Sequence, residues 1–429
     1  MECMSTAKTK VITLDQETNV SPKIESEVKQ APTTLIEPLK KKGELKPWQK
    51  ITLSILVGTI LLGALAVSMY FYIFTKPISP SEIITINRDY LEQDLQIINW
   101  SDKVKFITTA LTTPDLPRTE QSPLNGLLFT KTEIEKLEKN RPIAIMINNH
   151  YHARPQSALN SADIVYESLA ESGITRYMGI FWSQGTSKVG PVRSARQYFL
   201  EWLSPYDPLY IHDGCASSSD PRTNACGNIY SYGIKDLRTH GYWRVTDRVA
   251  PHNEYNSTVT AWDYASKNGW GGFPEIDTLQ FKRDAEPNAR GSRTKVKVRF
   301  RQDLPNNGLY DSEWSYDVKS NSYLHKIGGQ ADLDLETGKQ VSAKVVVIQE
   351  VIMQSSGDAY GRIIITTIGE GKAVVLQDGK VTIGKWKKTS RTERERYYDS
   401  TGKELLLNRG RLWITAVPKD QGKFDIIEQ

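Results

Sequence analysis

Arg193 and Arg196 stand three residues apart, just after Gly190-Pro191. Proline suits a first helical position, so the segment predicts a helix over 191–203 with both guanidinium groups on one face. Ala195, Phe199, Trp202 and Leu203 fall at helical spacing behind it. A helix start already carries unpaired N–H groups and the positive end of the dipole, so cations placed there serve an anion rather than the helix. Ser194 would add a donor. Arg154 and Arg176 would complete a pocket for phosphate or carboxylate, where bidentate guanidinium geometry is useful. The competing expectation is that these arginines pair with Asp163, Glu167 and Glu171 in a buried network.

Histidines supply the second set. Asn148, His150, Arg154 and Gln156 lie in NNHYHARPQ (148–156), directly after an apolar strand-like run, where α/β folds tend to place ligand loops. His150 and His152 share a face if the chain is extended, and would meet His212 at a metal. However, there is no HExxH, no CxxC and no carboxylate at a ligand-like spacing, so neither metal nor other cofactor is expected. His212 and Asp213 close the PLYIH segment; His252 and Asn253 sit in APHN as pocket lining or loop anchors. His212 and Cys226 are spaced somewhat as in L,D-transpeptidases, but the context Thr223-Asn224-Ala225-Cys226-Gly227 lacks a Ser-His-Gly-Cys-type signature. Ser194 is in no G-x-S-x-G elbow. No complete catalytic set is present. Cys215 and Cys226 share one short loop and are expected to form a disulfide; Cys3 stands far upstream.

The elements that position these residues follow from the wider pattern. Residues 51–74 are an uncharged apolar run long enough to cross a bilayer as one helix, with Lys40, Lys41, Lys42, Lys46 and Lys50 before it and Lys76 alone close behind. This predicts a single-pass membrane anchor with a disordered cytosolic tail (1–50), a stalk (75–121) and an extracytoplasmic remainder. A cleaved signal peptide fits poorly, because roughly 50 polar residues precede the apolar core. With 55 basic against 50 acidic residues and a pI near 8.8, the chain is too mildly basic to argue for nucleic acid.

An α/β unit is expected over 122–277. TEIEKLEK (132–139) reads as a Thr-capped helix, and PIAIMI (142–147), DIVYE (163–167), GITRYMGIFW (173–182) and PLYIH (208–212) read as strands. Strand, 191–203 helix, strand suggests a βαβ crossover. Ser257 caps a further helix that Gly269 ends. From 278 to 429 the runs TKVKVRF, KVVVIQEVI, RIIITTI, AVVLQ and LWITAV predict a mainly antiparallel β domain of α+β type, with a hairpin at Asp378-Gly379.

The block from RPIAIMINNHYHARPQSALNSADIVYESLAESGITRYMGIF to GPVRSARQYF, with RVAPHNEYNS (248–257) and GKWKKTSRTERERYYDSTGKELLLNRGRLWITAVP, resembles the YerB-like family of bacterial envelope lipoproteins. The likeness covers roughly 122–418. It implies an envelope location and no assigned activity. Members usually reach the membrane through an acylated Cys, where this chain offers an apolar helix, and the Cys pair in GCASSSDPRTNACGN is not a family feature. The expected role is a membrane-anchored binding or scaffold module that meets an anionic wall polymer or an envelope protein. An enzyme acting on wall or extracellular substrates through an Arg/His-lined cleft is the alternative.

Overall fold

Alternating and continuous apolar runs become strands wherever the sequence bounds them with turn residues. The computed structural model describes residues 117–291, 294–303 and 308–428. The tail, the 51–74 run and the stalk to residue 116 lie outside them; among the described residues no helix is long and apolar enough to cross a membrane.

In chain order the main elements are α1 (Lys131–Leu137), β1 (Ile143–Asn148), β2 (Ile164–Leu169), β3 (Thr175–Phe181), α2 (Gln197–Leu203), β4 (Leu209–Ile211), α3 (Ala225–Ser231), β5 (Lys235–Asp236) and α4 (Thr258–Lys267). These are followed by β6 (Thr294–Arg299), β7 (Ser312–Asp317), β8 (Ser322–Ile327), β9 (Val345–Val351), β10 (Gly369–Gln377), β11 (Lys380–Lys388), β12 (Arg396–Asp399), β13 (Leu412–Pro418) and β14 (Lys423–Glu428). Thr130 and Thr132 each have a glutamate three residues on, Glu133 and Glu135, but the cap of α1 is Thr130. Its hydroxyl accepts from the Glu133 N–H, and the Glu133 carboxylate accepts from the Thr130 N–H.

Ten strands form one mixed sheet in the order β12-β11-β10-β9-β13-β2-β3-β1-β4-β5. The 122–277 and 278–429 segments meet inside it: β13 lies parallel between β2 and β9, with Trp413 opposite both Val165 and Val346. The expected βαβ crossover is absent. β3 runs antiparallel to β1 while β4 runs parallel to it, so the strands on either side of α2 point in opposite directions. The fold is α+β. Asp378 and Gly379 both take positive φ (53° and 65°) in the two-residue turn between β10 and β11.

Strand alternation sends two sets of side chains to two cores. Ala144, Met146, Ile164, Tyr166, Met178 and Ile180 pack against Phe199, Trp202 and Leu203 of α2. Ile143, Ile145, Ile147, Val165, Tyr177 and Phe181 face Val296, Val298 and Trp314 of a second sheet, and Ala261 and Ala265 of α4 belong to the same core. That second sheet contains β8, β7, β6 and β14 in this order. Each large apolar side chain so buried contributes roughly 1.5–3 kcal/mol before the entropy of ordering it. Trp413 of β13 ties the layers together, lying edge-on to Trp314 at 5.0 Å and to Tyr177 at 5.1 Å.

Candidate functional site

The helix expected over 191–203 begins only at Gln197. Residues 191–196 are extended because their backbone groups are committed across the chain. The Val192 N–H donates to the Glu254 carbonyl (2.7 Å), the Arg193 N–H to the Met146 carbonyl (2.9 Å) and the Ala195 N–H to the Gly214 carbonyl (2.9 Å). Arg193 and Arg196 therefore do not share a helix face, and no helix-start anion site exists there.

Three of the four arginines are engaged within the fold. Arg196 forms a two-pronged ion pair with Glu171, its Nη2 lying 2.9 Å from Oε2. Burial alone would raise the Glu171 carboxyl, but the Arg196 hydrogen bonds and charge, with the Arg176 charge, outweigh it and hold it low. Arg176 is buried, donates to the Ser194 carbonyl at 2.7 Å and sits 3.9 Å from Glu171. Arg154 donates to Asn149 and to the Leu309 carbonyl and lies over the Tyr310 ring. Of the expected partners, only Glu171 takes this part. Asp163 instead accepts from Asn125, Ser183 and the Trp182 N–H, and Glu167 from Trp413, Thr415 and Ser312.

Arg193 differs. It is half-buried, and its guanidinium makes no hydrogen bond or ion pair among the described residues. Asp213, Glu254 and Glu171 act on it only through longer-range charge.

His150, His152 and His252 gather beside it, each offering one nitrogen within 4.8 Å of the others. His212 is not among them. It is wholly buried, with Nδ1 2.7 Å from the Gly214 carbonyl and Nε2 3.1 Å from Asp236. The trio does not fit a metal in this arrangement. His150 and His252 are stacked, with centroids 4.4 Å apart and planes 17° from parallel. A zinc ion about 2.1 Å from both nitrogens would have to lie in both ring planes, which near-parallel stacked rings forbid.

Hydrogen bonding points the same way. Asn148 Oδ1 accepts from the His150 N–H, which orients its Nδ2 as donor to His252 Nδ1 at 2.9 Å. His150 Nδ1 accepts from the His152 N–H at 3.2 Å. In each neutral ring the proton is therefore on Nε2, which becomes a donor rather than a metal ligand. Burial, then the charges of His252, His152, Arg154 and Arg193, pushes His150 down to about 4. Burial, then Arg193, His152 and Arg248, lowers His252 as well. The charged groups felt by both imidazoles are cations.

A pair of carboxyl groups lies on the other side of Arg193. Asp213 and Glu254 face each other and share the Arg244 guanidinium, whose Nη2 is 3.6 Å from Asp213 and 3.1 Å from Glu254. Glu254 is only 9 % exposed, and its Oε2, though at ion-pair distance from Arg244, has no aligned hydrogen bond. Burial and the hydrogen-bonded Asp213 push the Glu254 carboxyl up to about 7. Neither Glu254 nor Arg244 was among the residues singled out above. The signal available was slight, an acidic residue beside His252-Asn253 in APHNE.

The remaining expected residues fix loops. Gln156 Nε2 donates to the Asn148 carbonyl (3.1 Å) and to Asn149 (2.9 Å), and Asn253 donates to the Val245 carbonyl (2.8 Å) while accepting from Arg244. Ser194 contributes its carbonyl to Arg176. Cys215 and Cys226 are joined by a disulfide, S–S 2.08 Å.

One constellation has the connectivity of a hydrolase triad. Ser312 Oγ lies 2.7 Å from His325 Nε2, and His325 Nδ1 lies 2.8 Å from Asp332. All three side chains are buried between the sheets, against Trp314 and Trp413, so no substrate reaches them. A cleft of about 330 Å³ lies between Gln197, Tyr232 and Ile364–Ile368 and is lined by none of the residues predicted above.

Residues 129–271 match the "Protein of unknown function (DUF3048) N-terminal domain", and residues 301–414 match the corresponding C-terminal domain. The chain is 34% identical over 312 residues to YerB of Bacillus subtilis (strain 168), a protein provisionally named a lipoprotein, covering 71% of this chain and 88% of YerB. The chain belongs to the YerB-like DUF3048 family. The crystal structure of YerB from Bacillus subtilis superposes with a TM-score of 0.61 at 30% identity, over 72% of this chain and all of that one. YerB-like membership fixes the fold and assigns no chemistry.

Proposed function

We propose that this YerB-like protein is an envelope-anchored binding module that recognises an anionic group of a wall polymer or envelope partner. Arg193 is its centre. The observation that carries this reading is a half-buried guanidinium with no hydrogen bond or ion pair among the described residues, beside two imidazoles that present Nε2–H donors. An anion placed there would meet charge-assisted and neutral donors together, and it would relieve the mutual repulsion of cationic groups that lowers His150 and His252. The envelope location is supported by the provisional lipoprotein name of the Bacillus relative and by the Cys215–Cys226 bridge, which suits an oxidising compartment; the uncharged 51–74 run has the length of a single-pass anchor. A binding role is favoured over catalysis because, among the described residues, no carboxylate acts on the half-buried His150 or His252 and the Ser312–His325–Asp332 chain is sealed.

The test titrates the full-length chain with inorganic phosphate and with purified anionic wall-polymer fragments, followed by calorimetry. Arg193→Ala should weaken binding by about tenfold or more, the effect of losing one charge-assisted contact. Arg196→Ala should lower the melting temperature while sparing the affinity. Equal affinity of the parent chain and Arg193→Ala for every probe would overturn the proposal.

A further inference from the structure

The anion site has an acidic neighbour close enough to touch the same small ligand. Arg193 and Asp213 are held together by the backbone, the Asp213 N–H donating to the Arg193 carbonyl at 3.1 Å. Glu254 is fixed from the other side by the bond from the Val192 N–H to its carbonyl, 2.7 Å. Three separate segments thus bring one cation without an ion pair and two facing carboxyl groups to one corner. The corner is open: the Asp213 side chain is 40% exposed, while Glu254 is nearly enclosed behind it.

We propose that this corner binds a zwitterion, a free amino acid or a peptide end. The ligand's carboxylate lies against the Arg193 guanidinium, and its ammonium lies against the Asp213–Glu254 pair. The inference rests on the anion-binding reading above and narrows it to a ligand class. Two observations support it independently. Glu254 Oε2 is a buried acceptor whose Arg244 partner, 3.1 Å away, makes no aligned hydrogen bond with it, and an ammonium N–H beside the pair would supply one. Arg193 stands close to a carboxyl pair without bonding to it, so its guanidinium stays available to a ligand beside that pair.

Charge state sets the pH behaviour. The groups that act on Glu254 are Asp213, Arg244 and Arg193, with the Tyr242 hydroxyl also within reach of its charge. With one proton shared, the pair and Arg244 together are neutral; once that proton leaves, they carry one negative charge. Ammonium binding therefore strengthens as pH rises through about 7, whereas a plain carboxylate gains nothing from that step.

The experiment is an NMR titration of the full chain at pH 6 and pH 8 with three probes of one carbon skeleton: alanine, propionate and alaninamide. Alanine should bind about tenfold more tightly than propionate at pH 8, the effect of one added charge-assisted contact, with a smaller advantage at pH 6. Glu254→Gln should bring alanine down to the propionate level; if that variant loses its fold, Asp213→Asn answers the same question. Equal binding of alanine and propionate overturns the zwitterion proposal and leaves the anion site standing. Alaninamide binding as well as alanine overturns it too, since the corner is then a cation site. If neither propionate nor inorganic phosphate binds, the anion reading falls and this inference falls with it.

Discussion

Replacing Cys215 and Cys226 together by serine removes a cross-link whose ends are 11 residues apart. In the chain-entropy account, a closed loop of this length restricts the unfolded chain by about 9 cal/mol/K, or about 2.8 kcal/mol at 25 °C. Unfolding entropy of about 2.1 cal/mol/K per residue, over roughly 310 described residues, gives about 0.65 kcal/mol/K. The expected fall in Tm is thus about 4 °C, read by calorimetry on the full chain. The bridge also has a local task. The Ala195 N–H donates to the Gly214 carbonyl, the Ala216 N–H to the Ala195 carbonyl and the Cys226 N–H to the Ala216 carbonyl, so the disulfide sits where the Arg193 segment meets Asp213. Loss of the bridge should weaken ligand binding at 25 °C, well below the melting transition. A Tm within 1 °C of the parent, with affinity unchanged, would refute both the entropy estimate and the positioning role.

Other outcomes follow from particular contacts. Trp413→Ala should destabilise the protein by about 3–5 kcal/mol, since it empties a layer-spanning site and removes a donor from buried Glu167; chemical denaturation measures it. Burial would raise Asp378, but hydrogen bonds from Lys282, Asn321, Asn408 and the Ala285 N–H hold it at about 2. Its contribution is present above the unfolded aspartate range and is lost as pH falls from about 4 towards 2. Asp378→Asn should flatten the stability curve in that window, and an unchanged acid slope would contradict this. For phosphate at the Arg193 site, affinity should rise as pH falls from about 6.5 towards 4, because a bound anion favours the charged imidazoles. Calorimetry in buffers of different ionisation enthalpy should register proton uptake, and its absence would remove His150 and His252 from the site.

Local pattern made much of this fold legible. The strands over 143–148, 345–351 and 412–418, the Ser257 cap and the Asp378-Gly379 turn rest on apolar runs, side-chain capping and backbone preference, all of which act within a few residues. Partner choice did not show. That β13 pairs with β2 depends on contacts more than 240 residues apart (Glu167 to Trp413 spans 246). The 191–196 segment has acceptable helical spacing, yet bonds to residues 146, 214 and 254 outweigh it. The arginines show the same limit. Their type announces affinity for anions, but whether Glu171 or a ligand satisfies them is decided by tertiary neighbours. His252 stacks on His150 from about a hundred positions away, and no spacing rule reaches that far.

The strand order also constrains how the protein is made. β2 is buried along its whole length and bonded on one side to β13, one of the last strands in the chain. A polypeptide emerging N-terminus first, from a ribosome or across a membrane, holds an incomplete sheet until residue 418 has appeared. Synthesis and folding are thereby separated in time. Such a chain stays threadable until β13 slots into the gap beside β2.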